Sequence, residues 1–311
     1  MRRFAESFFL VAVALCLGGG RAVAGSPDWQ AVSVEDPSAM SGAVALGVED
    51  RLTIYACRAV VGSGVHLGRF RSDFAGCHIG YGGQELSIVP FEVLTTAWQR
   101  GTDGAVPPHS LGAGERVQPG VQGQFDSVAL HPCRTRYRNS LQLGEVAEGD
   151  AGCSFGFGGR QVTESRYEVL WRAPWLTWTA GIAQQIPAGA VIGGTEGGEP
   201  FYVCRAADST GLHPGKIKTN SKGCSIASRG SEVVSEQFSI LVPRWMPGNA
   251  GTIPIVALPA GRDKDGLLFL CRATIRNTVQ IGRTADPLAA CRVGMMGGEI
   301  ASQSYDVLSQ R

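Results

Sequence analysis

The chain is poor in charge, in lysine and in long apolar runs. Only 18% of its 311 residues are charged, and 28 basic against 27 acidic side chains leave a formal charge of +1. Binding a phosphate backbone needs a basic stripe or patch, so this balance argues against nucleic acid as a partner. Lysine occurs only at Lys216, Lys218, Lys222 and Lys264, and the arginine-heavy remainder hints at a GC-rich bacterial genome. The longest apolar run, Phe8 to Leu17, is well short of the roughly 20 residues that span a bilayer, so no transmembrane segment is expected. There is no His-Glu-x-x-His, no phosphate-binding loop and no Cys-x-x-Cys knuckle, and the glycines of GSGVHLG (62–68) read as turn glycines. A non-enzyme without metal or cofactor is the expectation that follows.

The N-terminus carries what the rest lacks. Arg2 and Arg3 precede the apolar run, and Ala22-Val23-Ala24 stands before Gly25, the layout of a cleaved signal peptide over 1–24. Cleavage there removes Cys16 and leaves eight cysteines, an even number suited to an oxidising compartment. An exported, soluble protein, periplasmic or extracellular, is expected.

Those eight cysteines, at 57, 77, 133, 153, 204, 224, 271 and 291, form four pairs each separated by 20. Aligned on the first of each pair, Gly47, Gly123, Gly194 and Gly261 fall ten before it, and Arg58, Arg134, Arg205 and Arg272 follow it directly. Phe91, Tyr167, Phe238 and Tyr305 recur 34 after it. The chain thus reads as four ungapped 48-residue cores: 47–94, 123–170, 194–241 and 261–308. Within them apolar residues alternate, as in Tyr55, Cys57 and Ala59, which predicts strands. An all-β fold of four repeats of about 70 residues follows, with Trp29, Trp98, Trp178 and Trp245 as core anchors that open the repeats.

The third copy reads FYVCRAADSTGLHPGKIK, the first contains YGGQE and FEVL, the second YEVL, and the fourth GGE and YDVL. In order and spacing these motifs resemble the natterin-type lectin repeat, also called the DM-nine repeat, over nearly all of the chain after the signal. The resemblance implies β modules of two repeats with internal pseudo-symmetry, here 25–170 and 171–311, and binding of mannose-type glycans. In that family an Asp of the turn and the Lys of Pro-Gly-Lys hold sugar hydroxyls. The matching positions here are Glu49 with Arg69, Glu196 with Lys216, and Asp263 with Arg283, while copy two has Phe125 with Glu145. A carboxylate accepting from vicinal hydroxyls beside a cation donating to their oxygens is strong, charge-assisted chemistry. His66, Gln142, His213 and Gln280, nine after the first cysteine, join these sets by their position in each copy. The competing reading makes each acid and base a surface salt bridge across a hairpin, worth under about 1 kcal/mol.

The arginine after each first cysteine is expected to pair with the Glu of Gly-x-x-Glu (Glu85, Glu232, Glu299), with Gln161 replacing it in copy two. Twenty residues suit a strand, a turn and a returning strand, so the expected disulfides are Cys57–Cys77, Cys133–Cys153, Cys204–Cys224 and Cys271–Cys291, with pairing between repeats as the alternative. Multivalent carbohydrate binding is one functional reading. A structural or protein-binding scaffold is the second, and an enzyme with its site in the Trp-rich segment WRAPWLTW is a third.

Overall fold

The computed structural model describes residues 28–32, 40, 42–119, 125–248 and 252–310. The signal peptide, Cys16 and Gly123 lie outside them. Among the described residues there are 28 strands, one short 3-10 turn and no α-helix, and so no helix able to cross a membrane.

Each repeat contributes seven strands, seen first in repeat one. They are an opening tryptophan strand (Asp28–Val32), a lead strand (Ala45–Glu49), a first-cysteine strand (Leu52–Val61), a basic strand (Gly64–Phe70), a second-cysteine strand (Cys77–Tyr81), an acid strand (Gln84–Ile88) and a closing strand (Phe91–Thr95). Ile54 and Ala56 are buried with the half-buried Tyr55 between them, part of the period-two pattern read from the sequence, which the buried Cys57 then interrupts. Gly82 and Gly83, at φ 62° and 82°, make the two-residue turn that folds the acid strand back on the second-cysteine strand. Each tryptophan strand pairs antiparallel with the closing strand of its own repeat, so the tryptophan does open the unit.

The repeats do not pair in chain order. One 14-stranded sheet holds repeats one and four, and the other holds repeats two and three. In the first, Gly64–Phe70, Cys77–Tyr81 and Gln84–Ile88 continue into Gly298–Ser302, Cys291–Met295, Thr278–Thr284, Gly266–Ile275 and Pro259–Asp263, which returns to Gly64–Phe70. This ring of eight strands is a closed barrel, and repeats two and three close an equivalent one. The expected modules 25–170 and 171–311 are therefore replaced by a one–four barrel and a two–three barrel. All four repeats present the same pairing faces, so local pattern carries no information on which partner each takes.

What closes each barrel is the lead-strand glycine. A Cβ on Gly47 would lie 2.6 Å from the Val279 carbonyl oxygen, and on Gly261 2.3 Å from that of Val65. Gly194 meets Leu141 O at 2.2 Å in the same sense. In repeat two the position is filled by Gly114, whose Cβ would lie 1.8 Å from Leu212 O. Gly114 faces Leu130 there, as Gly47 faces Ile54 in repeat one, and both partners stand three before the first cysteine. The hairpin of repeat two is thus longer, and the ungapped alignment that put Gly123 in this role slips.

The four disulfides pair within repeats, with Cα–Cα distances of 5.8 to 6.0 Å. Each is buried in its own satellite core. A larger central core draws on all four repeats, including Leu46, Leu143, Phe201, Leu270 and the fully buried Trp175. Trp29, Trp98, Trp178 and Trp245 pack against its margin. The two barrels therefore share one interior. Four disulfides belong to an oxidising environment.

Candidate functional site

The lead strand and the basic strand of one repeat meet the basic strand of its barrel partner, and four polar clusters form at these seams. In the repeat-one cluster, Arg69 Nη1 donates to Glu49 Oε2 at 2.7 Å and to Gln280 Oε1 at 3.2 Å, while its Nε donates to the Gly294 carbonyl at 2.8 Å. Gln280 Nε2 in turn donates to Glu49 Oε1 at 2.8 Å. Gln280 and Gly294 belong to repeat four. The His/Gln position therefore completes the acid–base pair of the partner repeat, not of its own as the sequence grouped it.

The repeat-three cluster is built the same way. Lys216 Nζ donates to Gln142 Oε1 and to the Gly156 carbonyl, both of repeat two, and Gln142 Nε2 donates to Glu196 Oε1 at 3.2 Å. Gln142, a residue of repeat two, is thus central to the repeat-three cluster. Burial among Phe155, Phe157 and Phe201 holds the Lys216 ammonium down at about 8.

Both clusters carry a second cation that sequence reasoning missed. Arg71 Nη1 donates to Glu49 Oε2 at 2.8 Å, and Lys218 Nζ to Glu196 Oε2 at 2.5 Å. Each stands two after the first base, where repeats two and four have Ala147 and Ala285, so the contrast was present in the sequence. Around these groups lie open clefts. The first, about 460 Å³, is lined by Glu49, Arg69, Arg71, Phe74 and His78, with Phe74 and His78 stacked at 3.9 Å. The second, about 570 Å³, is lined by Glu196, Lys216, Lys218, Phe157 and Phe201.

The other two clusters differ. In repeat four, Arg283 donates to the Gly80 carbonyl and to Glu299, both at 3.0 Å, but Asp263 turns away to accept from the backbone of Asp265 and Gly266. His66 of repeat one lies beside this pair, and burial together with the Arg283 charge lowers its pKa. In repeat two, Phe125 is 76% exposed and takes no part. The longer hairpin instead puts Arg116 two after Gly114, where the acid stands elsewhere, and Glu145 occupies the base position. The charges are reversed rather than lost. Glu145 accepts from His213 Nδ1 at 2.8 Å, and His213 Nε2 lies 2.8 Å from Thr210 Oγ1 and 3.3 Å from Asp208. Burial pushes the His213 pKa down, but Glu145 and Asp208 override it and the net shift is upward.

Glu49 with Arg69 is not the surface salt bridge of the competing reading, since both are buried, as are Lys216, Arg283 and Glu145, whereas Glu196 and Asp263 are only half-buried. The arginines after the first cysteines also pair differently from expectation. Arg58, Arg134 and Arg272 donate to Glu92, Glu168 and Asp306 on the closing strands. Those carboxylates lie directly across in the ladder, whereas the Gly-x-x-Glu residues reach the other repeat. Glu85 accepts from Gly297 N and Glu299 from Gly83 N, tying the partner turns together. One Gly-x-Ser-x-Gly run, 152–156, is present, and its Ser154 sits within a strand, bonded to Thr163 Oγ1 at 2.8 Å.

The DM9 repeat family model matches residues 48–119, 125–235 and 195–302. The chain belongs to the DM9 repeat family. The DM9 matches run through all four repeats and cover every cluster residue above. No curated protein matches the chain. Among solved structures, the crystal structure of the nematode sperm cell motility protein MFP2B is 13% identical over 92% of this chain and 97% of that one, with a TM-score of 0.18.

Proposed function

We propose that this DM9 protein is an exported, multivalent carbohydrate-binding protein whose sugar sites are the clefts of repeats one and three. The observation that carries the reading is the pair of open clefts in which a carboxylate, two cations and aromatic faces converge: Glu49 with Arg69, Arg71 and Phe74, and Glu196 with Lys216, Lys218 and Phe201. Fixed carboxylates and cations suit vicinal hydroxyls, and ring faces suit the apolar side of a sugar. Mannose-type glycans are the substrate class the family resemblance favours, and the signal-like 1–24 together with four disulfides supports export. Repeat four contributes Asp263 and Arg283 as a weaker site, because Asp263 is engaged by its own turn.

A second reading, a scaffold for protein contacts, is favoured by how completely the buried groups satisfy one another; Arg69 alone bonds Glu49, Gln280, Glu85 and Gly294. A glycan array with the mature protein separates the two. Binding is expected to weaken with Lys216→Ala and to fall further when Glu49→Gln is added, with both variants folded by circular dichroism. No glycan bound by the folded wild type would overturn the lectin reading in favour of the scaffold.

A further inference from the structure

The clefts of repeats one and three share their acid and their two cations, but the charges around those groups differ, and all in one direction. In repeat one, Arg71 is held by three carboxylates: it bonds Glu49 and Asp73 at 2.8 Å and Asp50 at 3.3 Å. The matching positions for Asp50 and Asp73 in repeat three are Gly197 and Asn220. Lys218 is left with Glu196 as its one ion-pair partner among the described residues. Two before the second cysteine, where repeats one, two and four carry Ala75, Ala151 and Ala289, repeat three carries Lys222. Two losses of negative charge and one gain of positive charge thus fall on a single cleft.

Three of the chain's four lysines line that cleft, against two glutamates. Both glutamates are already engaged: Glu196 accepts from Lys218 and Gln142, and Glu232 from the Ser225 hydroxyl and Gly159 N. Lys216 has only neutral acceptors, the Gln142 side chain and the Gly156 carbonyl. Lys222 is exposed, and its side chain has no hydrogen-bond or ion-pair partner among the described residues. Its backbone is nevertheless fixed from both sides. Lys218 N donates to Ser221 Oγ at 3.3 Å, and a Cβ on Gly223 would lie 2.0 Å from the Ser235 carbonyl oxygen. Alanine serves the same turn in the other three repeats, so the fold itself does not require the lysine.

An ammonium is a compact point charge with three donors, better matched to the tetrahedral oxygens of a phosphate or sulfate group than to the planar fork of a carboxylate. Phe157 and Phe201 supply ring faces in the same cleft. We infer that the repeat-three cleft selects sugars carrying a phosphate or sulfate ester, with Lys222 as the residue that reads the anion. The inference rests on the reading of this cleft as a sugar site. Its test titrates D-mannose, D-mannose 6-phosphate, D-mannose 6-sulfate and inorganic phosphate by calorimetry, at low ionic strength and pH 7. The mature protein carries Glu49→Gln, so that the repeat-three cleft reports alone, and is compared with the same protein carrying Lys222→Ala in addition.

At least one ester is expected to bind about tenfold or more tightly than mannose, and more tightly than inorganic phosphate. Lys222→Ala should bring that ester to within about twofold of mannose. The ester that gains identifies the anion as phosphate or sulfate. Mannose bound with neither ester tighter overturns the inference and leaves the lectin reading standing, whereas no binding by any of the three sugars overturns both at this cleft. Inorganic phosphate bound as tightly as the esters would mark an anion site that reads no sugar, and an ester preference that survives Lys222→Ala would remove Lys222 from the role; either result overturns the inference.

Discussion

The clusters of repeats one and three and those of repeats two and four occupy equivalent seams, yet they are different sites. The odd-numbered pair each have two cations and are completed by a glutamine of the partner, Gln280 or Gln142. The even-numbered pair have alanine at the second cation and face a histidine of the partner, His66 or His213. The difference shows how a closed barrel tolerates exchange of charge. A buried cation needs acceptors, which the carbonyls of Gly294, Gly156 and Gly80 provide to Arg69, Lys216 and Arg283. A buried carboxylate has no use for a carbonyl, and Glu145 is satisfied by an imidazole instead. Each barrel thus keeps one open, cation-rich cleft beside a more closed seam, which is why the two main proposed sugar sites lie in the odd repeats and the repeat-four site is the weaker one.

The comparison assumes that both kinds of site depend on the same close approach of backbones. Gly194→Val tests this most severely, because its Cβ would meet Leu141 O at 2.2 Å, and backbone cannot yield as a side chain can. A loss of about 3 kcal/mol or more is expected in urea unfolding, with the two–three barrel opening first. A near-neutral result would show that the lead strand is not what joins the repeats.

Removing one carboxylate from each kind of site sharpens the contrast. Glu145→Gln leaves His213 buried without its main counter-ion, and a cost of about 3 kcal/mol is expected. Glu49→Gln leaves Arg69 its bonds to Gly294 O and Glu85, so a cost of about 1 kcal/mol is expected, accompanied by loss of sugar binding at that cleft. Equal costs in thermal unfolding would mean that the odd sites are as structural as the even ones.

His213 also gives the even site a pH signature. Its folded pKa is raised, so its stabilising contribution is complete below the ordinary value of 6.5 and is lost as pH rises through the folded value. Stability should therefore decline on the alkaline side of 6.5 in wild type, and this part of the decline should vanish in His213→Gln. An unchanged profile in the variant would assign the decline to other groups.

Much of this was legible in the sequence, and what escaped did so for definite reasons. The strands, the disulfides and the repeat count followed from alternation and from cysteines recurring with fixed spacing. The acid and base positions of repeats one and three do come together. Barrel partnership stayed hidden because identical repeat faces give local patterns nothing to choose between, and with it went the true partners of His66, Gln142, His213 and Gln280. The reversed charges of repeat two were masked by its longer hairpin, which displaces Arg116 from the aligned column. Two signals were nonetheless on view: the alternation His, Gln, His, Gln along the repeats, and the contrast of Arg71 and Lys218 with Ala147 and Ala285. Both say that odd and even repeats play different parts before any pairing is known.

The two odd clefts are themselves distinguishable by the chemistry of their buried cation. Lys216 is held at about 8 by its apolar surroundings, whereas repeat one has the guanidinium of Arg69 at the matching position. As pH rises through about 8, Lys216 passes to the neutral amine, and the hydrogen bond proposed between it and a sugar oxygen would lose its ionic character. Sugar affinity at the repeat-three cleft should then fall severalfold between pH 7 and about 9, while the repeat-one cleft holds its affinity. Titrating mannose into Glu49→Gln isolates the first behaviour, and titrating it into Lys216→Ala isolates the second. Identical pH profiles in the two variants would show that the ammonium of Lys216 does not face the ligand, and would shift that role to Lys218.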